Sequence, residues 1–152
     1  MEAILTAIQE SAFAAQVRDS TFIYPVANVT HVVTVIAFFG LVATMDLRLL
    51  RVFGGVPADR LVAFLRPLSM ALFLIIVAAG FILFSAEAVP LARNAAFRLK
   101  AAAIALALVN VLLNDWSLRR FGEMSFVVRA TAAISLLAWL FVAAMGRMIA
   151  YV

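Results

Sequence analysis

Long apolar runs separated by short polar connections dominate the pattern of this sequence. Phe22 to Thr44 extends for 23 residues without a formal charge, Pro67 to Ala86 for 20, and Ala130 to Gly146 for 17. A fourth run, Ala101 to Asn114, is shorter, but its flanking side chains can reach the membrane interface. A bilayer core about 30 Å thick needs roughly 20 apolar residues in helical form. The pattern therefore predicts an all-α fold, an integral membrane four-helix bundle.

The connections between the runs are too short to hold a separate soluble domain, so residues 1–152 are predicted to form one transmembrane domain. The cluster Gly54-Gly55-Val56-Pro57 breaks the chain after the first span. Asp59 is predicted to cap a short helix that leads to Arg66-Pro67 and the second span. The predicted spans cover about residues 22–46, 65–88, 96–118 and 127–150.

The N-terminal segment, residues 1–18, differs from a cleaved signal peptide, because it opens with Glu2 and has no cation before Arg18. Its apolar side chains share one helical face, while Glu and Gln side chains lie elsewhere. An amphipathic helix of this kind is typical of the membrane interface. The apolar face consists of Ile4, Leu5, Ile8, Ala12 and Ala15.

Composition restricts the possible chemistry. The chain is 67% hydrophobic and contains no cysteine, which excludes disulfides, thiolate metal sites and iron–sulfur clusters. The twelve basic residues lie at span ends, where they meet lipid, and no nucleic-acid-binding module is present, so the lipid bilayer rather than nucleic acid is the expected partner. Seven basic residues lie in the 46–66 and 115–129 loops and five on the other side, which predicts that both termini lie outside the cytoplasm.

Polar residues form stripes that meet at the side of the bundle where the termini lie. In the first span Tyr24, Asn28 and His31 follow an i, i+4, i+7 pattern and share a face. Gly80, Phe84 and Glu87 repeat that pattern at the end of the second span. In the third span, small and polar residues form a seam predicted to pack against a neighbouring helix, with Asn110 hydrogen-bonded across it. The seam consists of Lys100, Ala103, Ala107, Asn110 and Asn114.

Ionisable residues inside a membrane usually mark a pathway or a ligand, and His31 is the only histidine of the chain. Imidazole is a common ligand of haem and transition metals, so we predict a site for haem b or a metal ion, with a redox or electron-transfer role. Glu87 or a backbone carbonyl is expected to hold the second ring nitrogen. His31 is the candidate metal ligand, and the candidate cofactor-binding residues are His31, Lys100, Glu87, Asn28 and Tyr24.

One histidine supplies one axial ligand, so the site would be five-coordinate, use Met145 or Met148 as second ligand, or share ligands in a homo-oligomer. Two other functions are compatible with the pattern. His31, Glu87 and Lys100 could form a proton, ion or small-molecule path in an oligomer, or the chain could be a structural subunit of a larger membrane complex. At the opposite side of the membrane, Asp46 and Arg48 are predicted to form an ion pair at the interface.

Over roughly residues 24–116 the chain resembles a bacterial family of small four-span integral membrane proteins catalogued as a domain of unknown function. The resemblance implies the bacterial inner membrane. Family members often carry a second histidine near the end of the third span, where this chain has Asn114 and Asp115. The motifs are Tyr24-Pro25 with His31, Asp46-Leu47-Arg48-Leu49-Leu50, Phe84-Ser85-Ala86-Glu87-Ala88, and Asn94 to Lys100 followed by Asn110.

A looser similarity extends to four-span copper-resistance membrane proteins and to the membrane-bound, haem-associated protoporphyrinogen oxidase. Those proteins pair a first-span histidine, followed about nine residues later by glycine, with a lysine that opens the third span. His31, Gly40 and Lys100 occupy the matching positions here. The reaction of the oxidase is not carried over to this chain.

Overall fold

A computed structural model of the chain describes residues 2–149 and Tyr151, and this part of the chain is helical without strands. Four of its helices are long and apolar enough to cross a membrane, with mean hydropathies of 1.9 to 2.6. The predicted all-α four-helix bundle is confirmed, and the protein is a multi-pass membrane protein. In chain order the helices are α1 (Glu2–Gln9), α2 (Ala12–Asp19), α3 (Ile23–Leu49), α4 (Ala58–Ala86), α5 (Ala88–Arg93), α6 (Ala95–Phe121) and α7 (Phe126–Met148).

Side-chain caps determine where several helices begin. Asn94 accepts a hydrogen bond from the backbone N–H of Phe97 at 3.0 Å and starts α6. Ser125 does the same for α7 through the N–H of Val127. Between them Gly122 adopts φ 74°, a left-handed conformation that favours glycine and ends α6 sharply. The predicted end of the fourth span at residue 150 lies outside the described residues.

Helix α4 begins at Ala58, seven residues before the predicted start of the second span, and runs unbroken through Pro67. The separate short helix expected before Arg66-Pro67 is therefore wrong. Asp59 lies in the first turn of α4, where the positive end of the helix dipole stabilises a carboxylate. Pro67 has no N–H, which leaves the carbonyl of Ala63 without its usual helical donor.

The four spans pack in the order α4, α3, α7, α6, so α3 and α7 are the two inner helices. Aromatic residues from three helices meet in the middle of the bundle. The ring of Trp139 lies edge-on to Phe38, with centroids 4.8 Å apart, and to Phe73 at 6.0 Å. These three residues, called the aromatic cluster below, join α3, α4 and α7.

The predicted seam on α6 faces α7, as expected. Ala107 is 1% exposed, and Asn110 donates a hydrogen bond to the carbonyl of Thr131 at 2.9 Å. Asn114 donates to the Thr131 hydroxyl at 2.8 Å. Small side chains let two membrane helices approach closely, and amide side chains then bond across the interface.

No extended contact joins α4 and α6 within the described residues. At the end of the bundle that carries the 50–57 and 122–125 connections, called the loop end below, Arg66 and Asp115 form an ion pair across the gap. At the other end, called the terminal end, Phe84 and Phe97 stack with centroids 5.5 Å apart. Beside the ion pair a cleft of about 990 Å³ opens between the two helices.

The N-terminal segment forms two helices rather than the predicted single helix over residues 1–18. Ser11 interrupts it, because its hydroxyl donates to the carbonyl of Ile8 and caps α2 through the N–H of Ala14. The pair docks on the end of α4 through Arg18, which donates to the carbonyls of Gln9 and Ala86. The N-terminal helices are therefore packed against the bundle.

The predicted ion pair between Asp46 and Arg48 is wrong. Arg48 lies near the Glu123 carboxylate, with nitrogen and oxygen 3.8 Å apart, and donates to the carbonyl of Val56. Asp46 is 5% exposed and faces the hydroxyl of Ser135 on α7. Residues two positions apart lie about 200° apart around a helix, so one of these two side chains faces the bundle while the other faces the loops.

Candidate functional site

His31 lies on the face of α3 that packs into the bundle, in register with the buried residues Ala27, Thr34 and Phe38. Its ring is half-buried, and Nδ1 is 3.0 Å from the backbone carbonyl oxygen of Ile76 on α4. A carbonyl oxygen has two lone pairs. One accepts the hydrogen bond of the α4 helix, and the other is available to the His31 ring. A backbone carbonyl is thus the partner of one ring nitrogen, which was one of the two alternatives expected from the sequence.

Gly80 gives the His31 ring access to this carbonyl. A methyl group at Gly80 would lie 3.1 Å from Cε1 of His31 and 3.4 Å from Nδ1. Gly80 follows Ile76 by four residues, so its Cα lies one turn away on the same face of α4. The absence of a side chain at this position therefore leaves the space that the imidazole occupies.

The hydrogen bond determines which ring nitrogen is available. A carbonyl oxygen can only accept, so Nδ1 of His31 carries the proton in this contact. In the neutral imidazole Nε2 then carries the lone pair. Histidines that bind metals are held in this way, with one nitrogen on a carbonyl or carboxylate and the other on the metal.

Lys100 approaches the same region from the opposite pair of helices. Its ammonium packs over Gly146 of α7, where an added methyl group would lie 3.0 Å from Nζ. The side chain of Lys100 forms no hydrogen bond or ion pair with any described residue. Within the described part of the chain, the half-buried ammonium is thus a cation without an anion.

His31, Gly80, Lys100 and Gly146 form what we call the polar layer, with one member from each spanning helix. On α3 the layer precedes the aromatic cluster by seven residues, from His31 to Phe38. Gly80 and Gly146 each follow their own aromatic residue by the same seven positions. At 1.5 Å per residue the layer lies roughly 10 Å from the aromatic cluster. The Phe84–Phe97 stack lies on its other side.

The remaining predicted site residues lie apart from this layer. Glu87 is exposed at the end of α4, seven residues beyond Gly80, or roughly 10 Å along the axis. Tyr24 and Asn28 are exposed, and neither side chain forms a hydrogen bond with a described residue. The structure therefore brings together His31 and Lys100 and leaves the other three candidates outside.

Ligands for a bare metal ion are scarce. No group of three or more His, Cys, Asp or Glu side chains that could hold a metal ion occurs among residues 2–149 and Tyr151. Met145 is half-buried next to Gly146, whereas Met148 is exposed. Of the two predicted second ligands, Met145 is the less exposed.

Sequence reasoning did not identify the partner groups of the site. The carbonyl of Ile76 has no signal in a sequence, because any residue carries one. Gly146 had a weak signal: it lies on the inward face of α7, four residues after the buried Val142. A glycine at such a position marks a place where another side chain approaches the backbone.

The geometry stands without support from known proteins. No protein-family model matches the chain, and neither a curated protein nor a solved structure is significantly similar to it.

Proposed function

We propose that the polar layer binds haem b through His31 and gives the protein a redox or electron-transfer role. The observation that carries the proposal is the hydrogen bond from Nδ1 of His31 to the Ile76 carbonyl, which leaves Nε2 as the free ligand atom. Haem brings four nitrogen ligands of its own, so one histidine suffices. A bare transition metal would need further side chains that the described residues do not offer together.

Lys100 supports haem over a neutral ligand. Its ammonium has no counter-charge among the described residues, and each haem carries two propionate groups. A lysine and a carboxylate in a low-dielectric region attract each other much more strongly than in water. In this proposal Lys100 would hold a propionate and His31 would bind the iron, with Met145 or a second copy of the chain as a further ligand. Bound haem would supply one-electron chemistry.

The proposal includes a location, the inner membrane of a bacterium, with both termini on the periplasmic side. The orientation rests on the basic residues, of which seven lie at the loop end and five at the terminal end. The polar layer then lies in the periplasmic half of the bilayer. An electron carrier at this depth would exchange electrons with a periplasmic partner or with a second copy in a homo-oligomer.

A proton or ion path through His31, Glu87 and Lys100 is less well supported. Glu87 is exposed roughly 10 Å beyond the polar layer, so the three ionisable groups do not form one site. His31 and Lys100 alone provide no acidic group for a cation.

Absorbance spectroscopy of the purified, full-length protein tests the proposal. Wild-type protein expressed with haem available should show a Soret band, and His31→Ala should lose it. His31→Phe retains the ring bulk without the ligand, so it should lose the band while remaining folded. Thr30→Ala, an exposed neighbour on α3, serves as the matched control and should keep the band.

Lys100 is tested separately, because it acts on the propionate rather than the iron. Lys100→Met should lower haem affinity and leave the iron spectrum that of a histidine-ligated haem. A Soret band of full intensity in both His31 variants would refute axial ligation by this residue. Wild-type protein that takes up no haem during expression or reconstitution would refute the proposed function as a whole.

A further inference from the structure

Asp46 is a buried carboxyl that the proposed haem site does not use. It lies on α3, 15 residues beyond His31, or roughly 22 Å along the helix axis toward the loop end. Only 5% of the residue is exposed, and its Oδ2 has no hydrogen-bond partner within the described residues. The aromatic cluster lies between Asp46 and the polar layer. Asp46 therefore belongs to a separate site.

An ionised Asp46 would be poorly compensated. A carboxylate offers about four acceptor positions, and among the described residues the Ser135 hydroxyl is the one side chain that interacts with it. Within the described residues no salt bridge reaches it: Arg48 on α3 and Arg66 on α4 are paired with Glu123 and Asp115. On α7, Arg129 is exposed. A charge buried without a partner costs many kcal/mol, so such a group neutralises by binding a proton or a cation.

A proton fits this position better than a metal cation. Hard cations such as Ca²⁺ and Mg²⁺ need six or more oxygen ligands, and Asp46 with Ser135 offers three oxygens. No cluster of three or more acidic or histidine side chains for a metal occurs among the described residues. A proton needs one carboxylate and a nearby hydrogen-bonding group.

Buried polar side chains connect this position with the loop end of the bundle. Ser135 is one helical turn from Thr131, whose hydroxyl accepts a hydrogen bond from Asn114 at 2.8 Å. Three residues further along α6, Ser117 is buried on the same side, one turn before the helix ends at Phe121. These side chains, called the loop-side polar seam below, lie on successive turns of α7 and α6 toward the loop end. The aromatic cluster closes the loop-side polar seam on its inner side.

We propose that Asp46 and Ser135 form a proton-binding site that exchanges protons with the loop side of the membrane. The carboxylate takes a proton from water that reaches it along the loop-side polar seam, and the neutral acid shares a hydrogen bond with Ser135. Release returns the proton to water on the same side. The Nε1 of Trp139, one turn beyond Ser135, is also buried and has no partner among the described residues, and it is a donor that a water molecule near the site would satisfy. The site is independent of haem.

Infrared spectroscopy of the full-length protein in lipid nanodiscs tests the proposal. Wild-type protein should show the C=O stretch of a protonated, buried carboxyl, and Asp46→Asn should remove it. Asp59→Asn, which removes an exposed carboxyl in the first turn of α4, is the matched control and should keep the band. Ser135→Ala should shift the band to higher frequency, because the carboxyl loses a hydrogen bond.

Exchange is measured in the same experiment. Transfer into D₂O should shift the band, and raising the pH should remove it reversibly as the carboxyl ionises. Asn114→Leu, which interrupts the loop-side polar seam, should slow the deuterium shift without removing the band. If the wild-type protein has no band that depends on Asp46, the carboxyl is ionised and the proposal fails. A band that neither exchanges nor titrates would show a permanently neutral structural acid and would equally overturn it.

Discussion

Replacing Gly80 by alanine tests whether the glycine exists to admit the His31 ring. The added methyl group would lie 3.1 Å from Cε1 of His31, tighter than ordinary van der Waals contact, while His31 must keep its bond to the Ile76 carbonyl. The ring is held by α4 on one side, so it has to shift by a few tenths of an ångström. Overpacking of this kind typically costs about 1–3 kcal/mol.

Gly40→Ala is the matched control, because Gly40 lies in the middle of α3 and a methyl group there would meet nothing within 4 Å. Both substitutions gain about 1 kcal/mol of helix propensity, so their difference isolates the contact with His31. We expect Gly80→Ala to have a free energy of unfolding lower than that of Gly40→Ala by about 1–3 kcal/mol. Equilibrium unfolding in detergent micelles measures both.

A double-mutant cycle completes the test. In the His31→Ala background the methyl group at Gly80 has space, so Gly80→Ala should become as well tolerated as Gly40→Ala. The coupling free energy should then be on the order of 1 kcal/mol. Equal stabilities of the two glycine variants in the wild-type background, or an unchanged cost when His31 is absent, would refute this account of the site.

Three further predictions follow from other contacts. Ala107→Leu should destabilise the protein in micelles by about 1–3 kcal/mol because Ala107 faces α7, whereas leucine at the exposed Ala105 should be neutral; equal tolerance would place the seam against lipid. Arg18→Met should loosen the N-terminal helices by removing the bonds to the carbonyls of Gln9 and Ala86, seen as faster hydrogen exchange in α2, while Arg98→Met leaves exchange there unchanged. A reporter that is active in the periplasm should work when fused to the C-terminus, and a reporter that is active in the cytoplasm should not. The reverse result would mean that the termini lie in the cytoplasm.

The architecture was predictable because hydropathy reports directly on membrane insertion. The seam on α6 was also predictable. Ala107 and Asn110 share a helix face, and small side chains on such a face allow a neighbouring helix to approach closely. The pairing of charges was not predictable. Asp46 and Arg48 are close in sequence, yet they lie on opposite sides of α3. The side chain of Asp46 faces the bundle and that of Arg48 lies near Glu123.

The site was predictable in part. The membrane depth of His31 pointed to a buried ring, and the position of Lys100 at the start of α6 pointed to the same level. Tyr24 and Asn28 share the periodicity of His31, but periodicity alone does not say at which depth the neighbouring helices are close enough to cover a face. The break at Ser11 depends on a single hydroxyl that bonds the backbone, a local competition that the apolar pattern of residues 1–18 does not report.

The open side of the bundle between α4 and α6 has a consequence for how the chain assembles. Helices α3 and α4 are adjacent in sequence and pack together, as do α6 and α7, and only the α3–α7 interface joins the two hairpins over a long stretch of chain. Each hairpin can therefore insert and pair as soon as the translocon releases it, because its contacts are local. The interface of α3 with α7, which contains Asp46, Ser135 and two rings of the aromatic cluster, is then the last to close. A misassembled form of the protein should therefore contain two correctly inserted hairpins whose α3–α7 interface has not formed.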